Sequence, residues 1–310
     1  MFNTNSILKK LLITLLILSG KSAFSQVTPI NTIDINTTYI PESRYTQKGG
    51  DLEETKKTQK RIELGYSFLL SEKIDTTTRK ISRWAASING SYTQMTDKIS
   101  DKDILPNNLF SSQFGVSHVR SLNGKWVMVN MLAVGINSDL EKINYRSIYI
   151  NGGILFVKNY SPTLSVGFGG FVVNALNTPI LLPGMLLSIR TEGKFKFNIN
   201  IPTEVSAAYD MSKNTELKLA FRLRNMSYDV QNSLNPKKHY LIYNEYPLGL
   251  ETKWKSSRFD FMLGGGYVFA RNIQYKENGI ENLFKKQPSN TLAGNVYINA
   301  GIRYRLKTSK

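Results

Sequence analysis

The chain contains no cysteine in 310 residues. That excludes disulfides, thiolate metal ligands, a cysteine nucleophile and a lipid-modified cysteine, so stability must come from strand pairing and packing. Histidine is nearly absent as well, with only His118 and His239. No spacing of His, Asp or Glu matches a metal site, and no cofactor is expected. Acidic residues are the minority, 23 against 40 Lys and Arg, for a formal charge of +17. Beyond the N-terminus no stretch approaches the ~18 consecutive apolar residues of a transmembrane helix.

The N-terminus itself reads as a secretory signal. Lys9 and Lys10 precede the apolar run Leu11 to Leu18, and Ala23 and Ser25 supply the small residues needed for cleavage before Gln26. Residues 1–25 are therefore expected to be a signal peptide and 26–310 a single domain. Loss of Lys9, Lys10 and Lys21 lowers the charge from +17 to +14. In a cytoplasmic protein such an excess would point to nucleic acid. In an exported chain it points to anionic headgroups, lipopolysaccharide phosphates or an anionic small solute.

What fills the rest of the chain is alternation. In 296–306, Val296, Ile298, Ala300, Ile302, Tyr304 and Leu306 take every even position, against Tyr297, Asn299, Gly301, Arg303 and Arg305. A period of two is a strand with one apolar face, and about 11 residues is the length of a tilted strand crossing a bilayer. In water that face would need a second layer, whereas in a membrane barrel lipid covers it. The same pattern recurs at Ile62 to Leu70, at Trp84 to Tyr92, at Phe110 to His118 and at Leu164 to Phe168. Ile33 to Tyr39 alternates weakly, and 125–137 is apolar on both faces, leaving its register ambiguous.

Connections should segregate by length. Short turns are expected near 121, 159, 191, 212 and 255, and long loops near 94, 137, 174, 230 and 276. Asn123-Gly124 suits the positive φ of a two-residue hairpin turn. Pro183, Pro202 and Pro247 each precede a run ending in a short polar turn, which suggests prolines opening strands at the rim. Trp84, Trp126 and Trp254 all fall at the short-turn end, where indoles favour the headgroup layer as an aromatic girdle.

The expected fold is all-β, an antiparallel transmembrane β-barrel with short periplasmic turns and longer outer loops. It has 14 strands if residues 183–211 make three short strands, which Pro202 favours because it would break a central ladder, or 12 if 195–211 is one long strand. The other fold compatible with these patterns is a secreted, soluble β-sandwich or surface binding module.

The signal, the alternating strands, the segregated turns and the tract LLPGMLLSIRTEGKFKFNINIPTEVSAAYDMSKN together resemble the Gram-negative outer-membrane β-barrel superfamily and uncharacterised families within it. The resemblance implies an outer-membrane location and the barrel assembly machinery as a partner. Members usually end on an aromatic residue; here Tyr304 is followed by Arg305, Leu306 and Lys307-Thr308-Ser309-Lys310.

Barrel enzymes of this kind use Ser and His, or Asp and His near the outer rim. His118 falls on the lipid side near the periplasmic end, and His239 in a solvated loop, so no catalytic residue is expected. Gly264-Gly265-Gly266 and Gly167-Phe168-Gly169-Gly170 lie within strands and lack the helix and lysine of a phosphate loop. Alternation places Arg61, Lys194, Lys196, Lys218, Arg222, Arg224, Lys253, Arg303 and Arg305 in the lumen, against Glu63, Glu204, Glu251 and Asp260. A small pore with a basic lumen should favour anions.

Overall fold

The computed structural model describes residues 31–46, 56–78, 80–97, 106–175, 178–231, 238–279, 281–282 and 290–306. The expected signal peptide lies outside the described residues. The strands are β1 (Thr32–Arg44), β2 (Lys56–Asp75), β3 (Lys80–Asp97), β4 (Asn108–Ser121), β5 (Trp126–Ser138), β6 (Ile148–Ser161), β7 (Leu164–Ala175) and β8 (Thr178–Arg190). They continue with β9 (Phe195–Ile201), β10 (Glu204–Asp210), β11 (Thr215–Arg222), β12 (Arg224–Asp229), β13 (Tyr240–Lys255), β14 (Phe259–Lys276), β15 (Asn290–Leu292) and β16 (Asn295–Arg305).

Each wall strand pairs antiparallel with its neighbour, and β16 pairs with β1 to close the sheet. Among the described residues 14 strands line the wall, because β12 prolongs β11 and β15 prolongs β16. The apolar face points outward all the way round: Leu64, Leu132, Phe168, Leu263 and Ile298 are all more than half exposed. A soluble monomer rarely shows more than a few hundred Å² of contiguous apolar surface. A hydrocarbon layer accounts for this one, and a soluble sandwich does not.

Short connections gather at one end, at 122–125, 162–163, 191–194, 211–214 and 256–258. With Leu122 paired to Trp126 the loop is 123–125, one residue longer than a two-residue hairpin, with the positive φ angles on Gly124 (64°) and Lys125 (66°). Leu122 N donates to Trp126 O at 2.8 Å to close it. At the other end, where a long loop is expected near 174, β7 runs to Ala175 and β8 begins at Thr178. The prolines also differ from expectation. Of Pro183, Pro202 and Pro247 only Pro202 precedes a strand, lying in the β9–β10 turn, while Pro183 lies inside β8 and Pro247 at a register break in β13.

These prolines mark the departure from a plain cylinder. β9 and β10 have seven residues each, so their turn reaches only to the level of Met185, the partner of Ile201. β8 continues for seven more residues, Thr178–Gly184, paired with β7 alone. On the far side of the turn the wall creases. β11 gives way to β12 at Leu223, β13 breaks register between Glu245 and Pro247, and β14 shifts at the same level. Outward of the crease, β12, β13 and β14 remain hydrogen-bonded to one another but fold into the lumen.

Residues 240–245 are consequently buried on both faces. Tyr240 and Ile242 pack on Val129, Leu155, Phe171, Val173 and Leu182 of the β5–β8 wall. Leu241 and Tyr243 join Tyr45, Met95, Leu109, Ile273 and Leu292 on the opposite side. The strip crosses the lumen, and Asp229 at the end of β12 pairs in parallel with Ser138 of β5. The outer half is thus a scroll, with β5–β8 overlapping an inner sheet, while the half near the short turns is a closed cylinder. The sequence reading, a long loop near 230 that holds His239 and a strand opened by Pro247, differs here, because a strand buried on both faces carries no period-two signature.

Candidate functional site

Where the inner sheet crosses, the lumen holds a buried polar cluster. Arg61 of β2 forms a two-pronged ion pair with Glu245 of β13, Nη1 to Oε1 at 3.0 Å and Nη2 to Oε2 at 2.7 Å. Its Nε donates to Thr93 Oγ1 at 3.1 Å. Glu245 also accepts from Gln59 Nε2 at 3.1 Å and the Tyr243 hydroxyl at 3.2 Å, and Arg271 Nη1 reaches Gln59 Oε1 at 3.3 Å. The paired side chains of Arg61 and Glu245 are each only 2% exposed. A bidentate guanidinium–carboxylate pair fixes orientation as well as energy, so this contact sets where β13 lies against β2.

Toward the short turns the ion pairs become wetter. Arg222 binds Glu251 at 2.6 and 2.7 Å and Glu204 at 2.9 Å, and Lys218 binds Glu204 at 2.6 Å. Lys196 bridges Asp210 (2.7 Å) and Glu216 (2.9 Å), Lys253 lies 3.7 Å from Glu216, and Arg303 pairs with Asp34. Most side chains in this group are 15–26% exposed, roughly ten times more than Arg61 and Glu245. The lumen side chains toward the short turns therefore keep accessible surface that the Arg61–Glu245 cluster lacks.

Two of the nine basic residues expected in the lumen stand elsewhere. Lys194 belongs to the β8–β9 turn, where its ammonium sits 5.8 Å from the Tyr209 ring. Arg305 is at the rim, paired with Asp260 and donating to Ser256 O in the last turn. Arg224 lies on the inner sheet, 3.7 Å from Glu63 and 3.6 Å from Glu245. The expected acids were also too few: Asp34, Asp210, Glu216 and Glu245 face the same space and pair with the bases. Glu245 lay in the presumed loop, and the other three stood at strand ends where alternation is weakest.

A second set of contacts fastens the tip of the inner sheet. Asp229 accepts from Asn144 Nδ2 and Ser147 Oγ, each at 2.9 Å, with Arg146 Nε 3.6 Å away. Asn144 caps the one-turn 3-10 segment Tyr145–Ser147, and cap and turn together present the two hydrogen-bond donors and the guanidinium. Asp139 Oδ2 accepts Gln231 N at 2.6 Å. This clasp ties β12 to the β5–β6 loop.

The tryptophans sit at the short-turn end, Trp84 and Trp254 exposed on the outer face and Trp126 at the first position of β5. His118 stacks on Trp84 at 4.3 Å and hydrogen-bonds Ser82 Oγ at 3.0 Å. Among the described residues no carboxylate or amide receives its other ring nitrogen. His239 is not solvated as expected but half-buried, 4.7 Å from the Tyr240 ring. Among the described residues no three His, Asp or Glu side chains are grouped to hold a metal.

A family model described as "Domain of unknown function (DUF6268)" matches residues 21–305. The chain belongs to the DUF6268 family. No curated protein matches it. Solved structures similar to this DUF6268 chain include an outer-membrane channel from Pseudomonas putida F1, at 8% identity and TM-score 0.45 over 91% of this chain and 98% of the other. Others are LpxR from Salmonella typhimurium, at 11% identity and TM-score 0.37 over 89% and 100%, and the toluene transporter TodX of Pseudomonas putida, at 8% and 0.36 over 92% and 91%. At these scores none of them carries an argument about what the DUF6268 chain binds or does.

Proposed function

We propose that the protein is an outer-membrane channel for small anionic solutes, closed at its outer end by the infolded sheet of β12, β13 and β14. In this reading the signal peptide exports the chain, the barrel assembly machinery inserts it, and its basic surface meets lipopolysaccharide phosphates. The short turns face the periplasm, with Trp84, Trp126 and Trp254 in the inner headgroup layer. No enzymatic step is part of the proposal.

The observation that carries the reading is the gradient of exposure along the ion pairs, wet toward the short turns and 2% exposed at Arg61–Glu245. Replacing a buried ion pair by apolar packing is often neutral or stabilising, so a wall built only for strength has little use for one. A pair whose two halves sit on a fixed wall and on a creased, separately clasped sheet is suited to parting. When it parts, Glu245 leaves with β13 and Arg224 with β12, and Arg61 stays in the lumen without its two-pronged partner, Glu63 of the same strand being the acid that remains near it. The low-dielectric wall then concentrates anions there, as do rings of Arg or Lys in anion pores. Arg222, Lys218 and Lys196 line the way in.

Single-channel recording in a salt gradient tests this. The native protein should conduct rarely, and Asp229→Ala, which releases the clasp, should raise the open fraction with a reversal potential of anion-selective sign. A cation-selective reversal would overturn the anion preference. Silence from a folded Asp229→Ala protein, with Glu245→Gln equally silent, would overturn the channel.

A further inference from the structure

Independently of conduction, we propose that the lipid-facing side of β2–β7 carries, at the short-turn end, a seat for one anionic phospholipid, whose phosphate lies among Lys73, Lys80 and Arg120 and whose acyl chains run over Phe156 and Phe168. With the short turns in the periplasm, a placement that rests on the proposed function, this lipid belongs to the inner leaflet of the outer membrane.

The seat follows from register. Lys73 pairs with Ser82, Ser82 with Arg120, Arg120 with Met128, Met128 with Phe156 and Phe156 with Phe168, a single row across β2–β7. Phe168 is 58% exposed on the outer face, and directly paired residues share a face of the sheet, so the whole row points away from the lumen. The row is cationic at one end and aromatic at the other. Arg120 is the penultimate residue of β4, whereas Phe156 and Phe168 lie farther inside β6 and β7 from their short-turn ends. Along the row the wall thus passes from headgroup chemistry to hydrocarbon chemistry, the order of parts in a phospholipid.

A crevice of about 790 Å³ lies on this row, the size of a small-molecule site. Lys73, Lys80 and Arg120 line it together with Asp75, and Trp126, Phe156 and Phe168 form its apolar side. The β2–β3 hairpin and the β4–β5 turn are two of its walls, joined where Lys80 Nζ donates to Asn123 Oδ1 at 2.7 Å. Among the described residues no carboxylate pairs with Lys73, Lys80 or Arg120, whereas Lys196, Lys218 and Arg222 in the lumen each hold at least one. Asp75, the acid of the crevice, turns its oxygens to its own hairpin, accepting from Thr77 N at 2.9 Å, Thr78 N at 3.1 Å and Thr78 Oγ1 at 2.5 Å. Lys158 adds a fourth positive charge, its ammonium 5.5 Å from the centre of the Trp126 ring. Cations without acid partners on a lipid-facing wall belong at headgroup depth, because a charge in hydrocarbon is costly. A phosphate satisfies several of them at once, and a headgroup with its own ammonium would set a like charge beside the lysines. The ligand is therefore a phospholipid of net negative charge, of the phosphatidylglycerol kind.

Native mass spectrometry of the folded protein in a neutral detergent tests this. With phosphatidylglycerol and phosphatidylcholine supplied at equal concentration, the native chain should retain one phosphatidylglycerol about tenfold more often than phosphatidylcholine. Lys73→Gln combined with Lys80→Gln and Arg120→Gln should abolish that preference. Lys194→Gln with Lys213→Gln and Arg258→Gln removes the same charge from exposed turns at the same end and should leave it unchanged. Glycerol phosphate, the headgroup without its chains, should displace the lipid only at far higher concentration. Equal retention of the two lipids by the native chain, equal loss in the two triple variants, or displacement by glycerol phosphate at equal concentration would overturn the proposal, the last in favour of a site for free phosphate. The comparison on the native chain needs no substitution, so failure to fold cannot be confused with failure to bind. None of these readings depends on conduction, so failure of the channel and failure of the seat are told apart.

Discussion

Inward and outward side chains alternate so closely in this wall that neighbouring residues should respond to the same substitution very differently. Ile298 is 62% exposed to lipid and Phe261 is outward on the adjacent strand, so Arg at either site should cost ~2–4 kcal/mol near mid-membrane. Asn299→Ala, one residue away and lumen-facing, should cost far less; unfolding in urea from lipid vesicles measures all three. Phe171 supplies a second residue-scale test. Its ring lies over Gly153 and Gly184 on the flanking strands, and a Cβ at Gly184 would fall 2.1 Å from it. Gly184→Ala should therefore cost ~1–3 kcal/mol by overpacking, read as a lower thermal midpoint. Most of the outward face was legible from the sequence because lipid imposes one rule on every strand. The lumen was less legible. Glu245 hid in an apparent loop, and Asp34, Asp210 and Glu216 became partners of the bases only once the barrel had brought strands from distant parts of the chain together.

At the scale of elements, the informative departures are the short β9–β10 hairpin and the crease. The two-faced apolar run at 125–137, which defied a register from sequence, is β5, and its inner face is apolar because the inner sheet packs on it. Pro202 correctly separated two strands, whereas Pro183 and Pro247 were read as strand openings when one marks an open edge and the other a register break. Both roles share one cause, the missing N–H, and sequence alone does not say which edge of a strand lacks a neighbour. Pro183→Ala is the sharpest test. It removes almost no contact yet adds a donor on the edge that β9 does not reach, so it should destabilise by ~1–3 kcal/mol in vesicles. A neutral or stabilising result would mean that the edge has a strand partner.

For the whole molecule, the absence of disulfides leaves hydrogen-bonded closure as the source of resistance to unfolding. Unboiled protein in detergent should migrate differently from boiled protein on a gel, and Asp229→Ala should preserve that difference, since the clasp is not part of the closed half. Loss of the difference in Asp229→Ala would show that the two halves fold as one unit. A cylinder sealed by hydrogen bonds has a girth set by strand number and stagger, and it changes only in whole steps. The outer half here is sealed by side chains sliding on side chains, at Tyr240 and Ile242 against Leu182 and Phe171. Its girth can vary continuously, as a rolled sheet of paper loosens, while the collar below stays fixed.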